Sequence, residues 1–525
     1  MGSYGSYVIT SSVPSPDSDP HPGQLLALLG ADVLGRHLSL RGHRVRHVRY
    51  CAKCPCPPPC HDLPALTAQA RGERVQRSFL SLWQAGVWEQ RELPGPRCEP
   101  CGRNLHETEV RGRCGYCAAP CNGTYCHMCE RPQDAEHLAA LRCVRCGQVP
   151  VRTTTRRLVL PLERWRERLV AYHAMDRAQA REPEAVGGRR QRAVLHTYLS
   201  ELLGRELPAV PVSQEDGHGV PIPLAGWKGH VLDSWFSGAV GYAEAVAASL
   251  GRTGQWEETS GRSRVEKAPR IIDFAGVGQV FSHAVLRPVV LLALGAPELP
   301  NVVVGHEAAR PPAGTPSAGR GTPEEAPDAD ALRFHLCLTG FGPEWGTASA
   351  RAYADTVATV LTGGLETWTD TVLDLLAEDF GSTVPAAAPE GPPAAERGEL
   401  MRRAERSLAA GSFSLQRAAE EFATVVDRAV ADLQPLRRLR AAGRYSAYEA
   451  RLVAHVELLA SCAVAAGPLM PGWSAFLTGH LSIGPDEERG RMRSPAAGGT
   501  TRLVPAGARL PESVPAYFHE HMQVP

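Results

Sequence analysis

Eight cysteines fall into four C-x2-C pairs, Cys98 with Cys101, Cys114 with Cys117, Cys126 with Cys129 and Cys143 with Cys146, inside 49 residues. A C-x2-C turn sets two sulfurs on one side of a tight loop. Two such turns close a tetrahedral site with Zn–S of about 2.3 Å and no open coordination position. Four pairs therefore predict two structural zinc ions, and the spacing leaves open which pairs share an ion. Gly102 and Gly147 directly follow the outer pairs and supply the backbone freedom that such a turn needs. A window this short cannot build its own core, so the expected role of the metal is a staple. Cys121 lies inside the window without a pair. Cys51, Cys54, Cys56 and Cys60 form a second, odder group in which prolines at 55 and 57–59 restrict the turn; a further metal and free thiols in a surface loop both stay open.

The elements that must position these residues are bounded first by composition. At 525 residues and 43% hydrophobic content, the chain is long enough for about three packed domains and is not disordered throughout. Lys plus Arg and Asp plus Glu both number 56, which excludes a global basic field for nucleic acid. Only three of the basic residues are lysines, Lys53, Lys228 and Lys267. No apolar run reaches the roughly 20 residues that span a bilayer. The best, 284–296, is broken by Arg287 and Pro288. The N-terminus lacks a basic segment followed by an apolar one, so a cytoplasmic protein with no membrane partner is expected. In that reducing compartment paired cysteines read as metal ligands.

Residues 7–10 form a β-rich run, 14–20 a Pro/Ser/Asp turn cluster, and 25–40 a helical period, a strand–loop–helix unit of the kind that places ligands at the strand's carboxyl end. A second helix is expected over 75–88, ahead of the cysteine window. Residues 226–248 and 271–294 read as strands leading into helices, and 310–328 as a mobile loop. Residues 331–376, 399–433 and 448–477 are helical in period, which predicts a bundle.

These pieces occur in a specific order. Val8-Ile9-Thr10 precedes His21-Pro22-Gly23-Gln24, then Ala31-Asp32 and Arg41-Gly42-His43, then the cysteine pairs. Asp233-Ser234-Trp235 leads to Gly241-Tyr242, Phe274-Ala275-Gly276 to His283 and Pro288, and Asp330-Ala331-Leu332-Arg333-Phe334 opens the helical stretch. Over residues 7–480 this order resembles the class I methionyl-tRNA synthetases. The resemblance implies an α/β fold: a Rossmann-like class I synthetase catalytic domain with a zinc-knuckle insertion, followed by an α-helical bundle domain. The divisions expected are 1–91 for the first half of the catalytic domain, 92–157 for the zinc-binding insertion, 158–325 for the second half, 326–482 for the anticodon-binding-like helical domain, and 483–525 for a mobile tail. It further implies methionine activation by ATP to an adenylate and transfer to tRNA. The first signature motif, here His21, Gly23 and Gln24, would touch the phosphates, and Val13, Trp235, Tyr242 and His283 would surround the amino acid.

The departures from the family's pattern converge on ATP. The second histidine of the first motif is Gln24, which donates hydrogen bonds without carrying charge. Residues 305–322, where a lysine-rich second motif is expected, contain no lysine. No Asp or Glu occurs between Arg44 and Cys60, where a carboxylate would hold the substrate ammonium. Val277 and Gly278 replace a lysine and an aspartate expected near the nucleotide, and 433–440 lacks the family's anticodon tryptophan. The sequence reading is thus a methionyl-tRNA synthetase-like protein that has lost ATP-dependent activation and binds an amino acid-like ligand, tRNA or both in specialised metabolism or regulation. The alternative is a divergent but active methionine–tRNA ligase. Trp235 and Tyr242 as plain core aromatics, and His283 as a satisfied core histidine, stay open beside the pocket reading.

Overall fold

The computed structural model describes residues 5–13, 22–51, 68–106, 109–122, 126, 138–179, 189–215, 219–250, 269–276, 279–296, 300–304, 328–339, 347–484 and 502–518. The chain divides into two compact units, one of residues 5–31 and 46–314, the other of residues 1–4, 32–45 and 315–525.

The first unit is built on a four-stranded sheet in the order Asn301–Val304, Arg270–Ala275, Ser6–Val13, Arg44–Cys51. Ser6–Val13 pairs in parallel with Arg270–Ala275, Tyr7 opposite Arg270 through Ser11 opposite Phe274, and Arg270–Ala275 pairs in parallel with Asn301–Val304. Val8, Ile9, Ile271, Ile272 and Phe274 are buried, as the near-continuous apolar strands of a parallel sheet covered on both faces require. From Ser6–Val13 the chain leaves through the helix Pro22–Leu40 to one neighbour; from Arg270–Ala275 it leaves through Arg287–Ala293 to the other. The two central strands therefore flank a topological switch point, and their carboxyl ends open the crevice where such sheets bind ligands.

The helix expected over 75–88 is Ala68–Gln84. Gly86, at φ 69°, ends it in a left-handed turn that only glycine adopts without strain. Trp88 instead stacks on Phe79, centroids 5.9 Å apart, and meets Phe236 edge-on at 5.2 Å. This aromatic group anchors the helix Ser234–Ser249 against the sheet layer.

The cysteine window rides on a long antiparallel pair, Glu89–Cys98 with Val151–Pro161, running in register from Glu89 opposite Val159 to Arg97 opposite Val151. Beyond it lies a small sheet in the order Pro120–Asn122, Val110–Arg113, Ala139–Cys143. Among the described residues its hydrophobic cluster consists of buried Cys98, Leu105, Val110, Leu138 and Cys143, and two of those are candidate ligands.

The second unit is helical. Ala329–Thr339 starts at Asp328, whose Oδ1 accepts from the backbone N–H of Asp330 at 2.8 Å and of Ala331 at 3.0 Å. Thr347–Thr356 runs through a π-helical stretch, Val357–Glu366, into Thr367–Phe380. Pro392–Leu408, Leu415–Ala441, Tyr445–Ala465 and Pro471–His480 complete the bundle, so all three expected helical regions are present, subdivided by caps. A buried polar chain crosses it: Trp368 Nε1 donates to His455 Nδ1 at 3.1 Å, and His455 Nε2 lies 3.1 Å from Asp432 Oδ2, which Arg451 Nε also grips at 2.8 Å. Of the arginines at 437–440, Arg440 is tied to Asp379 at 2.6 Å and Glu378 at 2.9 Å.

The expected mobile tail needs correction over 502–518. Leu503 and Val504 N–H groups both donate to the buried Glu457 carboxylate at 2.9 Å, and Tyr517 and Phe518 N–H groups donate to Glu366 at 2.7 and 2.9 Å. Phe518 stacks on Trp473 at 6.5 Å, and Thr383 bridges to Arg509. The low apolar periodicity that suggested mobility reflects an irregular strap, whose backbone donors are satisfied partly by side-chain carboxylates and partly by backbone carbonyls of 382–384, as where Gly507 N–H donates to Val384 O at 2.8 Å and Leu510 N–H to Ser382 O at 2.9 Å. Glu457 also faces Arg397 at 3.0 Å, both buried. Glu457→Ala is therefore expected to cost about 3–5 kcal/mol, because it strands a buried guanidinium and two backbone donors. Denaturant unfolding of the full chain measures this, and a loss under about 1 kcal/mol would show that the strap is not held through Glu457.

Candidate functional site

At the switch point, Asp273 on Arg270–Ala275 is fully buried, an acid between the apolar residues Ile272 and Phe274. Its Oδ1 accepts from Thr10 Oγ1 on the neighbouring strand at 2.7 Å. Its Oδ2 accepts from His283 Nδ1 at 2.9 Å and from the Arg287 guanidinium. The guanidinium lies 4.1 Å over the Tyr242 ring, and its Nη1 is 3.1 Å from His283 Nδ1. Burial pushes the Asp273 carboxyl up, but Arg287 and His283 outweigh it and hold it below its ordinary value. Burial and then Arg287 lower His283, against the pull of Asp273, so the imidazole is neutral near pH 7. Burial, with Asp273 adding to it, raises the Tyr242 phenol.

Asp233 caps the helix Ser234–Ser249, its Oδ1 accepting from the Trp235 backbone N–H at 3.1 Å. Trp235 and Tyr242 are seven residues apart and so share one helical face. Trp235 donates its indole N–H to Pro211 O at 2.8 Å. Of the sequence candidates, Tyr242 and His283 are thus brought together through Thr10, Asp273 and Arg287. Val13 ends the strand Ser6–Val13, and Gly23 and Gln24 stand in the first turn of the helix Pro22–Leu40. His21, the lysine-free segment 305–322, Val277 and Gly278 lie outside the described residues. Cys51 ends the strand Arg44–Cys51, while Cys54, Cys56 and Cys60 lie outside the described residues. Sequence reasoning gave no site role to Asp273, Arg287 or Thr10. The signals were present: a carboxylate inside Arg270–Ala275, and an arginine interrupting the longest apolar run. Nor did it pair Ser11 with His47, whose Oγ and Nε2 are 2.9 Å apart across the central and edge strands.

The metal-ligand candidates nest. The sulfurs of Cys98, Cys101, Cys143 and Cys146 lie within 4.8 Å of one another, as do those of Cys114, Cys117 and Cys126; Cys129 lies outside the described residues. Cys98 to Cys146 is 3.4 Å, Cys117 to Cys126 3.6 Å and Cys101 to Cys143 4.0 Å. These separations suit a zinc tetrahedron, whose S–S edge is about 3.8 Å for Zn–S of about 2.3 Å. Gly102 and Gly147 take φ 67° and 71° after the outer pairs, and Ala118 takes φ 58° at the equivalent place after Cys117. The Gln148 backbone N–H, followed by neighbouring thiols, draws the Cys146 thiol down to about 7, while the hydrogen bonds with Cys98 and Cys146 push the Cys101 thiol up to about 12.

Residues 64–322 match the family model described as tRNA synthetases class I (M). The methionine–tRNA ligase of Methanopyrus kandleri is 27% identical over 274 residues, 51% of this chain and 38% of that protein. That of Pyrobaculum arsenaticum is 25% identical over 329 residues, 55% of this chain and 54% of that protein. In these alignments the chain spans about half the length, or less, of the curated relatives it matches. Among solved structures, Mycobacterium tuberculosis methionyl-tRNA synthetase in complex with methionyl-adenylate superposes with a TM-score of 0.69 at 17% identity, over 97% of this chain and 98% of that one. The free form gives 0.67 at 16% identity. At these identities the likeness establishes the fold: a class I, Rossmann-like catalytic unit with a helical unit.

The nested arrangement has a measurable consequence. Cys98→Ser and Cys143→Ser are each expected to lose the same single equivalent of zinc, and together to lose no more, whereas Cys98→Ser with Cys114→Ser loses about two. Atomic emission on the purified full-length chain reads the stoichiometry. Additive loss from the first pair of substitutions would refute the nesting.

Proposed function

Since the chain belongs to the methionyl-tRNA synthetase family, as a divergent member, we propose that it is an amino acid-activating ligase. The amino acid carboxylate oxygen attacks the α-phosphorus of ATP, the bond to the β-phosphate oxygen breaks and pyrophosphate leaves. A hydroxyl at the 3′ end of tRNA then attacks the acyl carbon, and AMP leaves. The observation that supports this reading is the switch point between the two central strands, where Tyr242 and His283 meet Thr10 and Asp273.

In this reading the amino acid lies against Val13, Trp235, Tyr242 and His283, and the phosphates lie at the start of the helix Pro22–Leu40. Pro22 at the first helical position sets φ for the turn, and the free N–H groups and positive end of the dipole favour an anion. His21 and the Gln24 amide would donate to the phosphate oxygens, and Gly23 would let the nucleotide approach closely. Reaction within the crevice depends on positioning and on donors set in place beforehand. The cysteine groups are read as two zinc sites, Cys98, Cys101, Cys143 and Cys146 for one and Cys114, Cys117, Cys126 and Cys129 for the other. Bound zinc would supply folding energy to an insertion whose hydrophobic cluster, among the described residues, is small and includes the candidate ligands Cys98 and Cys143. tRNA is the acyl acceptor in this scheme, and no helix among the described residues is long and apolar enough to cross a membrane.

A second reading rests on the lysine-free segment 305–322 together with Gln24: activation is lost, and the fold binds an amino acid-like ligand, tRNA or both in specialised metabolism or regulation. The names of the relatives favour the ligase, and the missing cations favour its loss. Amino acid-dependent ATP–pyrophosphate exchange across the standard amino acids decides between them. The expected outcome is exchange supported by an amino acid and reduced roughly 10²-fold or more by His21→Ala. Absence of exchange with every amino acid, from protein that is folded and zinc-loaded, would sink the ligase and leave the binding role.

A further inference from the structure

Three of the four cysteine pairs carry the same kind of flanking residue. Arg97, Arg113 and Arg142 stand directly before Cys98, Cys114 and Cys143, and Gly102, Ala118 and Gly147 directly after Cys101, Cys117 and Cys146. In the structure each arginine bonds its own turn. Arg97 Nη2 donates to Gly102 O at 3.3 Å, Arg113 Nη1 to Ala118 O at 3.2 Å and Arg142 Nη1 to Gly147 O at 3.2 Å. The carbonyl gripped is in every case that of the residue with left-handed backbone. For Arg142 the far side of the same peptide reaches a ligand: Gly147 O and the Gln148 N–H belong to one planar unit, and that N–H donates to the Cys146 sulfur. A cation on the carbonyl fixes the plane and polarises the N–H, and both effects favour a sulfur that carries negative charge. Four thiolates around one zinc ion leave the site anionic, so the guanidinium also acts in the right sense through its charge.

The two groups are served unequally. Arg97 and Arg142 brace the two pairs of the group Cys98, Cys101, Cys143 and Cys146, one each. In the other group Arg113 braces the turn at Cys114, whereas the pair Cys126 and Cys129 has Tyr125 before it and Glu130 after it in sequence. Ala118 also takes φ 58°, a region that costs an L side chain strain and costs Gly102 and Gly147 none. Resting on the reading of both cysteine groups as zinc sites, we propose that Arg97, Arg113 and Arg142 are positioning residues for zinc, and that their unequal distribution makes the group around Cys114 the labile site. A merely structural role, an exposed side chain satisfying a nearby carbonyl, predicts that zinc leaves each group without regard to these arginines.

The test follows zinc leaving the full-length, zinc-loaded chain for excess pyridylazoresorcinol, by the absorbance of the zinc complex. Release is expected in two phases of one equivalent each, with rates at least about fivefold apart. Arg142→Gln is expected to speed the slow phase at least about threefold and to leave the fast one, and Arg113→Gln to do the reverse. Arg142→Lys, which keeps the charge and a donor, stays within about twofold of the wild type. The control is Arg111→Gln, which removes an exposed arginine directly opposite Arg142 on the small sheet and changes neither phase. Arg111, Arg113 and Arg142 are all exposed, so these replacements leave the core intact and assign the phases without removing a cysteine. Release of both ions in one phase, wild-type release from Arg142→Gln, or an equal effect of Arg111→Gln overturns the proposal. A folded chain that takes up no zinc sinks the zinc reading and the proposal with it, whereas two ions lost together sink the proposal alone.

Discussion

The buried Asp273 carboxylate is the interaction around which the catalytic unit is organised. It takes a hydroxyl from one central strand, an imidazole and a guanidinium from the segment that follows its own strand, and through that guanidinium it reaches a ring on a third element. A charge in a parallel sheet is tolerable only when every lone pair it needs is matched, since half a network costs more than an apolar core. Here each partner lies where the parallel register puts it. Thr10 is opposite Asp273 in the pairing, and His283 and Arg287 are four residues apart on successive turns. The ion pair therefore constrains the crevice more than it stabilises the fold: it holds Tyr242 and His283 in one arrangement that no apolar contact would specify.

The same device, a carboxylate collecting donors from a distant segment, recurs in the helical unit. Glu457 takes two consecutive backbone N–H groups of the strap, Glu366 takes two more, and Asp330 takes the Trp473 N–H and the Tyr517 hydroxyl. Charge-assisted hydrogen bonds to its backbone add direction to the burial of Leu503, Val504, Leu510 and Phe518 in that segment. The cysteine insertion is ordered in a related way, through thiols. In each case a few strong, directional ligands complement the hydrophobic surface.

How much of this was legible in the sequence follows from the range of each interaction. The opening strand and helix, the helical regions and the cysteine pairs are local patterns; among the described residues the strand, the helices and the grouping of seven of the eight paired cysteines appear in the structure. Trp88 was assigned to a helix because its apolar period continues through Gly86, and the left-handed turn at that glycine outweighed the period. The strap was read as mobile because its partners, Glu366 and Glu457, lie tens of residues away and look like ordinary helix-surface acids in sequence. The polar floor of the crevice was missed for the same reason: Thr10 and Asp273 are 263 residues apart. Arg287 was noticed only as a blemish in an apolar run. The nesting of the cysteine pairs likewise needed the antiparallel stalk, which brings Cys98 beside Cys146.

The absences that argued against catalysis weigh differently once the cluster is known. Asp273 and Arg287 cancel, and His283 is neutral, so the crevice floor adds no net charge and repels neither a carboxylate nor a phosphate. Stabilising the charge of a transferring phosphate does not require lysine as such. It requires donors already aimed and kept dry, and in such a site neutral amides and helix N–H groups are worth far more than in water. On the proposed reading, Gln24 and a helix terminus in place of cations would lower the attainable rate without removing the route. An edge strand that offers His47, Arg44, Arg46 and Arg49 where the family would hold an ammonium with a carboxylate points the other way for binding. Such a strand repels an ammonium, so the substrate's amine must find its acceptor elsewhere. On the proposed reading, the chemistry of activation is thus easier to retain on this scaffold than the recognition of free methionine.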